Sequence, residues 1–334
     1  MHIPDGYLSP ATAGTLYAAA APFWYIASRK TRAILSGRLV PLMALISAFC
    51  FVIQMINVPL PGGTTGHAVG ASLAAIVLTP WPAVIAVSIA LIIQALFFGD
   101  GGITAIGANC LNMAIVQVFV AYYIYRMISA RSPRGQRFAA GIAAYLSMVI
   151  SGLFAAVELG IQPALAHAAD GTPLYAPYSL SVTVPAVVGA HLLAGFAEAI
   201  VTAGTIAFLQ HSAPELLNVA GTPQEQPLPG FWARMRLAWI LLACLVFITP
   251  LGLLAPGTAW GEWSAEQLSE AGLNFVPQGM QKWESFWQAA FADYSIPGLG
   301  EQTGYAISAL LGVALIIVVS CVLTFLGKRS VSKT

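Results

Sequence analysis

Long apolar stretches constrain the fold of this chain more than any other feature of its sequence. A helix needs about 20 residues to cross the roughly 30 Å hydrocarbon core of a bilayer. Six stretches are of about that length and a seventh is longer: residues 11–28, 39–59, 103–126, 138–158, 237–254 and 303–326, and then 181–209. Only 8% of the 334 residues are charged, against ~25% in a soluble domain. The sequence therefore excludes a soluble globular protein and predicts an all-α membrane protein.

A further apolar stretch, residues 67–98, is interrupted by Pro80 and Pro82. Proline ends or kinks a helix because it lacks an N–H donor and clashes with the preceding turn. We therefore predict two shorter helices, 67–79 and 81–98, joined by a tight turn, which brings the total to nine: a seven-helix bundle and two C-terminal helices.

The positively charged residues of this nine-helix arrangement gather on one side. Thirteen of the fourteen fall there, namely Arg29, Lys30, Arg32, Arg38, Arg126, Arg131, Arg134, Arg137, Arg234, Arg236, Lys328, Arg329 and Lys333. Cationic loops are retained in the cytoplasm, so we predict an N-terminus outside the cell and a cytoplasmic C-terminus. Only Lys282 then faces outward. A single helix over 67–98 would split these cations between the two sides, so the charge distribution also favours two helices.

The proline- and glycine-rich stretch GTPQEQPLPG, residues 221–230, divides the chain into unequal parts. This composition is typical of a linker. We predict a seven-helix domain over 1–215, a cytoplasmic linker over 216–236 and a two-helix segment over 237–334. The last two helices flank an outer loop, 255–301, which is rich in acidic and aromatic residues. Because aromatic side chains are enriched at membrane interfaces, we expect this loop to form a small amphipathic cap.

Several functional classes lack their sequence signatures. The net charge is only +1, so no basic patch for nucleic acid is present. The sequence contains no G-x-x-x-x-G-K-[ST] phosphate loop and no H-E-x-x-H zinc motif. We therefore expect a protein that is not an enzyme, in which any uphill transport draws its energy from another protein. The cysteines lie in apolar runs and never form a C-x-x-C pair, which indicates buried free thiols: Cys50, Cys110, Cys244 and Cys321.

The first two residues offer a high density of nitrogen ligands. The Met1 α-amine and the His2 backbone amide close a five-membered ring on a metal, and that amide with the His2 imidazole closes a six-membered ring. Three nitrogens in one plane favour Ni(II) or Cu(II), with Co(II) next, over tetrahedral Zn(II). Residues 1–10 lack the cationic start of a secretory signal peptide, so we expect Met1 to be retained. The alternative is that His2 is an ordinary exposed tail residue.

Local signals predict that this tail is held against the bundle. The Pro-Asp-Gly sequence at 4–6 is typical of a turn, and Ser9 followed by Pro10 is a typical helix start. A fourth ligand is available in His67, which follows a glycine-rich turn and which we expect to open a helix on the same outer side. A purely structural role is the alternative for this histidine.

Polar side chains are rare in the predicted helices, and five amides lie toward the outer ends: Gln54, Asn57, Gln94, Asn109 and Asn112. Of these we single out Asn57, Gln94 and Asn109. They are placed to hydrogen-bond metal-bound imidazoles, and polar contacts between helices are the alternative. His191 and Glu198 are seven residues apart and so share one helix face. Ionisable residues in membrane segments are functional hypotheses by default, so this pair is a candidate for coupling transport to protons.

The stretches MHIPDGYLSP, GGTTGHAVGA and FFGDGGITAIGANCLNMA resemble the hallmark sequences of the CbiM/NikM family. Its members are substrate-binding membrane components of energy-coupling-factor (ECF) transporters for cobalt and nickel. The resemblance covers roughly residues 1–215. It implies a seven-helix bundle in a prokaryotic inner membrane that captures Co(II) or Ni(II) through the Met1 amine, the His2 amide and imidazole, and the His67 imidazole, with Asn109 nearby.

The resemblance also implies partners. These are a separate transmembrane coupling subunit and cytoplasmic ATPases. The two C-terminal helices with their outer loop are similar in layout to the small accessory partner of such systems, fused here into one chain.

Two classes of transport function follow from these features. A capture subunit would lose metal binding when the N-terminal amine is blocked or when His2 or His67 is replaced. A stand-alone metal channel or proton-coupled secondary transporter would instead depend on His191 and Glu198. The sequence does not decide between nickel and cobalt. Planar nitrogen ligation favours Ni(II), but copper would bind such a site at least as well.

Overall fold

The computed structural model describes residues 2–35, 37–131, 135–214, 216–217, 230–270 and 272–331. Nine main helices make up most of this part: α1 (Pro10–Ala33), α2 (Leu39–Gln54), α3 (Ala71–Leu78), α4 (Pro80–Phe98), α5 (Ile106–Arg131), α6 (Gln136–Gly160), α7 (Leu180–Ser212), α8 (Phe231–Ile248) and α9 (Glu301–Val331). The strands Val58–Leu60 and Thr64–Gly66 form an antiparallel hairpin between α2 and α3. Every predicted helix has a counterpart, so the all-α membrane fold is confirmed.

Six of the described helices, α4 to α9, are long and apolar enough to cross a membrane, α8 together with the 3-10 turn that continues it. The helix α2 is apolar but has only 16 residues, and α1 has 24 residues but is less apolar. The helix α3 has 8 residues and spans about 12 Å. Because that is well under half of the hydrocarbon core, α3 does not cross a membrane by itself.

The break between α3 and α4 confirms the prediction of two helices over residues 67–98. Thr79 has a backbone φ of 67° and ψ of 163°, which no helix accommodates, and Pro80 begins α4. The predicted start of α3 was wrong, because the helix begins at Ala71 rather than at His67. Gly70 has a φ of 78°, a left-handed conformation that favours glycine and keeps residues 67–70 out of the helix.

The first helix begins as predicted. The Ser9 hydroxyl accepts a hydrogen bond from the Thr12 backbone N–H, and Pro10 occupies the first turn.

The helices α4 and α5 contain wide π-helical turns, over Gln94–Phe98 and Cys110–Val116. Such turns are frequent at functional sites, and these two flank the loop 99–105.

The two C-terminal helices pack against the first seven. The helices α6 and α7 form a closely packed pair, while α9 lies against α2 and α4, and α8 lies against α2. Most of the predicted linker 216–236 falls outside the described residues, so the division into 1–215 and 237–334 stays a prediction.

Residues 255–300, which we call the connecting segment, join α8 to α9 across one end of the bundle. The Gly279 N–H donates to the Leu174 carbonyl (2.6 Å), and the Phe291 N–H donates to the Phe97 carbonyl (2.9 Å). The segment therefore caps the bundle end at which α4 finishes and α5 begins.

The aromatic residues of this cap only partly match the interfacial role predicted for them. Trp260 and Trp263 pack against Tyr178 within the protein. Phe286 and Trp287 are the more exposed members of the group. The inner aromatic residues therefore fasten the cap to the bundle.

The prediction of four buried thiols was correct for two cysteines. Cys50 and Cys110 are buried, whereas Cys244 and Cys321 are exposed on the helix surface, and all four are free. An apolar surrounding does not require burial in a membrane protein, because lipid also supplies it.

Candidate metal centre

The N-terminal segment, residues 2–9, is fixed against the loop that joins α4 to α5. The Ile3 N–H donates to Asn109 Oδ1 (2.8 Å), and Asn109 Nδ2 donates back to the Ile3 carbonyl (3.1 Å). The Gly102 N–H donates to the same carbonyl (2.9 Å). Because His2 and Ile3 are each only 2% exposed, the prediction that this tail is held in place is confirmed for residues 2–9.

Asp5 locks the same two segments together. Its carboxylate accepts hydrogen bonds from the backbone N–H groups of Thr104 (2.7 Å) and Ile103 (3.1 Å). A Cβ atom on Gly102 would lie 2.2 Å from the Asp5 nitrogen, so only glycine permits this approach. The predicted turn is present, with Gly6 at a φ of 86°.

The second candidate ligand, His67, lies on a non-helical segment, residues 67–70, inserted into the bundle. Glu198 Oε2 accepts from the N–H groups of Val69 (2.7 Å) and Gly70 (3.0 Å). Gln54 Nε2 donates to the Val69 carbonyl (3.1 Å). Irregular backbone at membrane depth requires protein partners of this kind, because lipid offers none.

The two histidines meet at the end of the bundle. The imidazole centroids of His2 and His67 lie 5.2 Å apart with an interplanar angle of 28°, and both residues are buried. The Ala68 carbonyl lies 3.2 Å from His67 Nδ1. A carbonyl only accepts, so Nδ1 carries the proton and His67 Nε2 keeps a lone pair.

The ring nitrogens of His2 are buried, and neither has a hydrogen bond within the described structure. Buried polar atoms without partners are uncommon in native proteins and often indicate an absent ion or water. If two nitrogens each lie about 2 Å from one metal ion, they are at most about 4 Å from each other. Imidazole rings whose centroids lie 5.2 Å apart can bring one nitrogen of each ring to that separation. The pair therefore suits a single metal ion.

Further ligands for such an ion would have to come from the main chain. In the described ranges, no three side chains among His, Cys, Asp and Glu converge to hold a metal. The backbone nitrogen of His2 belongs to the same residue as one of the two imidazoles and therefore lies near the pair. Met1, the other predicted source of a nitrogen ligand, lies outside the described residues.

Two carboxylates flank His2. Glu262 Oε1 accepts a hydrogen bond from the His2 backbone N–H (2.7 Å), and Asp100 Oδ1 lies 3.2 Å from His2 Nδ1. The other oxygen of Asp100 accepts from the Tyr294 hydroxyl and from Gln94 Nε2. This arrangement places negative charge beside two nitrogens of one residue, which favours a cation there.

The protonation states of the connecting-segment groups suit these contacts. Burial alone would raise the pKa of the Glu262 carboxyl, but nearby positive charge lowers the pKa to about 2. Burial and then the charge of Asp100 raise the pKa of Tyr294 well above its ordinary value of 10. At neutral pH Glu262 is therefore an ionised acceptor and Tyr294 a donor.

None of the three predicted amides hydrogen-bonds an imidazole within the described residues. Asn109 holds the backbone of Ile3, and Gln94 binds Asp100 and Tyr294. Asn57 lies with its backbone nitrogen near Gly252, and no hydrogen bond joins it to the described residues of the site. The polar side chains nearest to His2 are the carboxylates of Glu262 and Asp100.

His191 and Glu198, the candidates for proton coupling, do not hydrogen-bond each other. His191 Nδ1 lies 2.7 Å from the Val187 carbonyl one helical turn away. Glu198 is occupied by the backbone of residues 69–72 and by Gln117 Nε2 (3.2 Å). His191 does line a small cavity together with His67.

Four acidic or phenolic residues at the site were not among the predicted ones: Asp5, Asp100, Glu262 and Tyr294. Asp5 and Asp100 lie within the quoted stretches MHIPDGYLSP and FFGDGGITAIGANCLNMA, so their positions carried a signal. Glu262 and Tyr294 lie more than 250 residues from His2, and nothing in the local pattern links these parts of the chain.

Two family models match the chain. Residues 2–216 match CbiM, described as "Cobalt uptake substrate-specific transmembrane region", and residues 234–329 match the PDGLE domain. Residues 217–233 lie between the two matches and fall within the predicted linker.

Known proteins show the same similarity over nearly the full length. The chain is 49% identical to the fused nickel transport protein NikMN of Rhodobacter capsulatus and 43% identical to the probable fused nickel transport protein LarMN of Lactiplantibacillus plantarum, with 95% of each chain covered in both cases. It is 30% identical to the cobalt transport protein CbiM of Geobacter sulfurreducens over 79% of this chain and 74% of that protein. A crystal structure of a truncated transition metal transporter superimposes with a TM-score of 0.60 at 48% identity, covering 63% of this chain and 98% of that one.

Proposed function

The chain belongs to the CbiM family, and from that premise we propose that it captures Ni(II) or Co(II) as the substrate-binding component of an uptake transporter in a prokaryotic inner membrane. The observation that carries this proposal is the buried pair His2 and His67, whose rings stack at 5.2 Å while the His2 ring nitrogens lack hydrogen bonds. Similarity to relatives named as nickel and cobalt transport proteins supports the choice of ion.

In the proposed site the metal is substrate and is held by four nitrogens. These are the Met1 amine, the His2 backbone nitrogen after its amide proton has been released to solvent, His2 Nδ1 and His67 Nε2. Only Nδ1 of His2 closes a six-membered ring with the backbone nitrogen, and only Nε2 of His67 has a free lone pair. Planar nitrogen coordination suits Ni(II) and is open to Co(II).

In the proposed orientation, the two histidines and the connecting segment lie on the outer side of the membrane. Thirteen cations on the opposite side support it. Because the sequence has no phosphate loop, we propose that a transmembrane coupling subunit and cytoplasmic ATPases drive release of the ion inward.

Metal titration of the purified full chain with its native N-terminus tests the site. We expect stoichiometric binding of Ni(II) or Co(II), and loss of that binding after His2→Ala, His67→Ala or addition of one residue before Met1. His167→Ala is the matched control, because this histidine is exposed. Full binding by any of the three altered proteins would refute the four-nitrogen site.

A transport assay tests the energy source. Metal accumulation by cells that express the chain should require the ATPases, and Glu198→Gln should reduce it only as far as it reduces metal binding. Accumulation without any ATPase would instead indicate a stand-alone carrier.

A further inference from the structure

A cavity of about 190 Å³ lies between α1, α2, α4 and α9, at the end of the bundle opposite the candidate metal centre. The last turns of α1 line this cavity, whereas the N-terminal segment that carries His2 lies at the other end of α1. Its polar lining includes Thr31, Arg32 and Ser320, and the rest is mostly apolar. The cavity is therefore separate from the site described above.

The cavity lies at the level of one membrane surface. The apolar span of α9, Glu301–Leu323, has 23 residues and is about 35 Å long, enough to cross the roughly 30 Å hydrocarbon core. Leu323, at the end of that span, lines the cavity. On α1 and α4 the Lys30 ammonium lies 4.7 Å from the centre of the Trp81 ring, and such side chains are typical of the interface. In the proposed orientation this is the cytoplasmic surface.

The charged residues of the four helices near this surface are all positive. Arg32 lines the cavity. The sequences of α1, α2 and α4 contain no acidic residue, and the single acid of α9 is Glu301 at its far end. Basic pockets between membrane helices on the cytoplasmic side bind the headgroups of anionic lipids. The guanidinium has five N–H donors, so Arg32 can bind a phosphate in addition to its contact within the protein.

A buried hydroxyl next to Arg32 lacks a hydrogen-bond partner. Thr31 is 5% exposed, and its Oγ1 has no partner among the described residues. A helical threonine can donate to the carbonyl four residues earlier, as Thr15 does to Ala11 (2.8 Å) on the same helix. Buried polar atoms without partners often indicate an absent ion, water or ligand. Thr31 therefore offers a second polar group, beside Arg32, to a ligand in the cavity.

The apolar lining of the cavity suits a hydrocarbon chain. It includes Met43 of α2, Ile85 and Ile89 of α4, and Leu323 of α9. Because Ile85 and Ile89 are four residues apart, they lie on one face of α4 and extend the apolar surface from the level of Arg32 toward the membrane interior. A free phosphate would leave this surface uncovered, whereas an acyl chain would cover it.

We propose that the cavity binds one anionic phospholipid, whose phosphate is held by Arg32 and Thr31 and whose acyl chain lies along Ile85 and Ile89. The lipid would contact α1, α2 and α4 of the CbiM-matching part and α9 of the PDGLE-matching part, and so strengthen the packing between them. The inference is independent of the proposed function, because none of these residues belongs to the candidate metal centre.

The experiment uses the full chain, purified in detergent and freed of lipid, with phosphatidylglycerol and phosphatidylcholine as probes. Native mass spectrometry counts the bound lipids, and the thermal unfolding midpoint reports the stabilisation that binding gives. Arg32→Gln and Thr31→Val remove the two polar groups, and Ile89→Trp fills the cavity. Arg29→Gln and Thr15→Val are the matched controls, because they make the same changes at exposed positions of α1 outside the cavity.

The wild-type chain should retain one phosphatidylglycerol molecule and unfold at a higher temperature in its presence, with a smaller effect of phosphatidylcholine. Arg32→Gln should weaken phosphatidylglycerol binding about tenfold or more, the usual effect of losing a hydrogen bond to a charged group. Thr31→Val should weaken it severalfold. Ile89→Trp should prevent binding without a change of charge, and both controls should behave as wild type.

Equal retention of the two lipids by the wild-type chain would overturn this inference, as would unchanged phosphatidylglycerol binding by Arg32→Gln and Ile89→Trp. An equal loss in Arg29→Gln would assign the binding to overall charge and contradict a defined site. Displacement of the lipid by soluble glycerol phosphate would refute the choice of a lipid as occupant. If Arg32→Gln does not fold, Thr31→Val and Ile89→Trp decide the matter, because they leave every charge in place.

Discussion

Replacing Glu198 by alanine should abolish tight metal binding although this residue binds no metal. Its carboxylate accepts from the backbone N–H groups of Val69 (2.7 Å) and Gly70 (3.0 Å), with a longer contact to Ser72 (3.4 Å). These donors belong to the segment that carries His67 and to the first turn of α3. Without Glu198 they would face the bundle interior unpaired.

The size of the effect follows from the two short hydrogen bonds. Each hydrogen bond to a charged group contributes about 1.5–3 kcal/mol, so their loss costs roughly 3–6 kcal/mol. Apparent affinity falls in proportion to the fraction of protein whose site is correctly formed. Since about 1.4 kcal/mol corresponds to a factor of ten, we expect Ni(II) to bind roughly 100-fold more weakly or worse.

The assay is a calorimetric Ni(II) titration in detergent, where no proton gradient exists. Glu158→Gln is the matched control, because Glu158 is also a buried carboxyl but accepts from the side chain of Asn112 on α5 (2.7 Å) and not from backbone. Its metal affinity should stay at the wild-type value. Glu198→Gln should be intermediate, because its amide keeps one acceptor but directs a donor toward Gln117 Nε2.

The same titration separates two roles for Glu198. If the residue carries protons in a secondary transporter, Glu198→Ala would bind metal normally and fail only in transport. Wild-type affinity in a folded Glu198→Ala protein would therefore refute the positioning argument.

Three further predictions concern backbone geometry and bound metal. Gly102→Ala would place a Cβ 2.2 Å from the Asp5 nitrogen, so it should displace residues 2–5 and weaken Ni(II) binding more than tenfold by calorimetry. Gly70→Ala, at a φ of 78° and with its Cβ 3.1 Å from Cys50 Sγ, should cost about 1–2 kcal/mol, seen as a lower thermal unfolding midpoint. Removal of bound Ni(II) by a chelator should lower that midpoint too, because an ion at 100 times its Kd stabilises the folded state by about 2.7 kcal/mol; an unchanged midpoint would contradict ion binding to the native state.

The helices could be predicted from the sequence because their cause is local. Apolar length gives the crossings, and Pro80 separates α3 from α4 as expected. The start of α3 could not be predicted in this way. Residues 67–70 are apolar enough to extend the helix, and only the partners supplied by Gln54 and Glu198 make an irregular backbone stable there.

The ligands of the candidate site could be proposed from residue chemistry, and the structure does bring His2 and His67 together. The hydrogen-bond partners around these ligands differ from the predicted ones. Amides were predicted to hold imidazoles, whereas Asn109 holds the Ile3 backbone and Glu262 holds the His2 N–H. Contacts across more than 250 residues depend on how the two halves pack, which no local pattern encodes.

Three carboxylates of the described structure share one physical task. Asp5 binds the N–H groups of 103–104, Glu198 those of 69–70, and Glu262 that of His2. Each fixes irregular backbone that bears or supports a candidate ligand. A metal site that uses main-chain nitrogen depends on the position of the backbone, whereas a site made of side chains depends on their rotamers. A backbone that is already held in place raises metal affinity, because less ordering is needed on binding. It follows that Asp5 and Glu198 act on the metal through the backbone, and that the conservative change Glu198→Gln should be milder than Glu198→Ala.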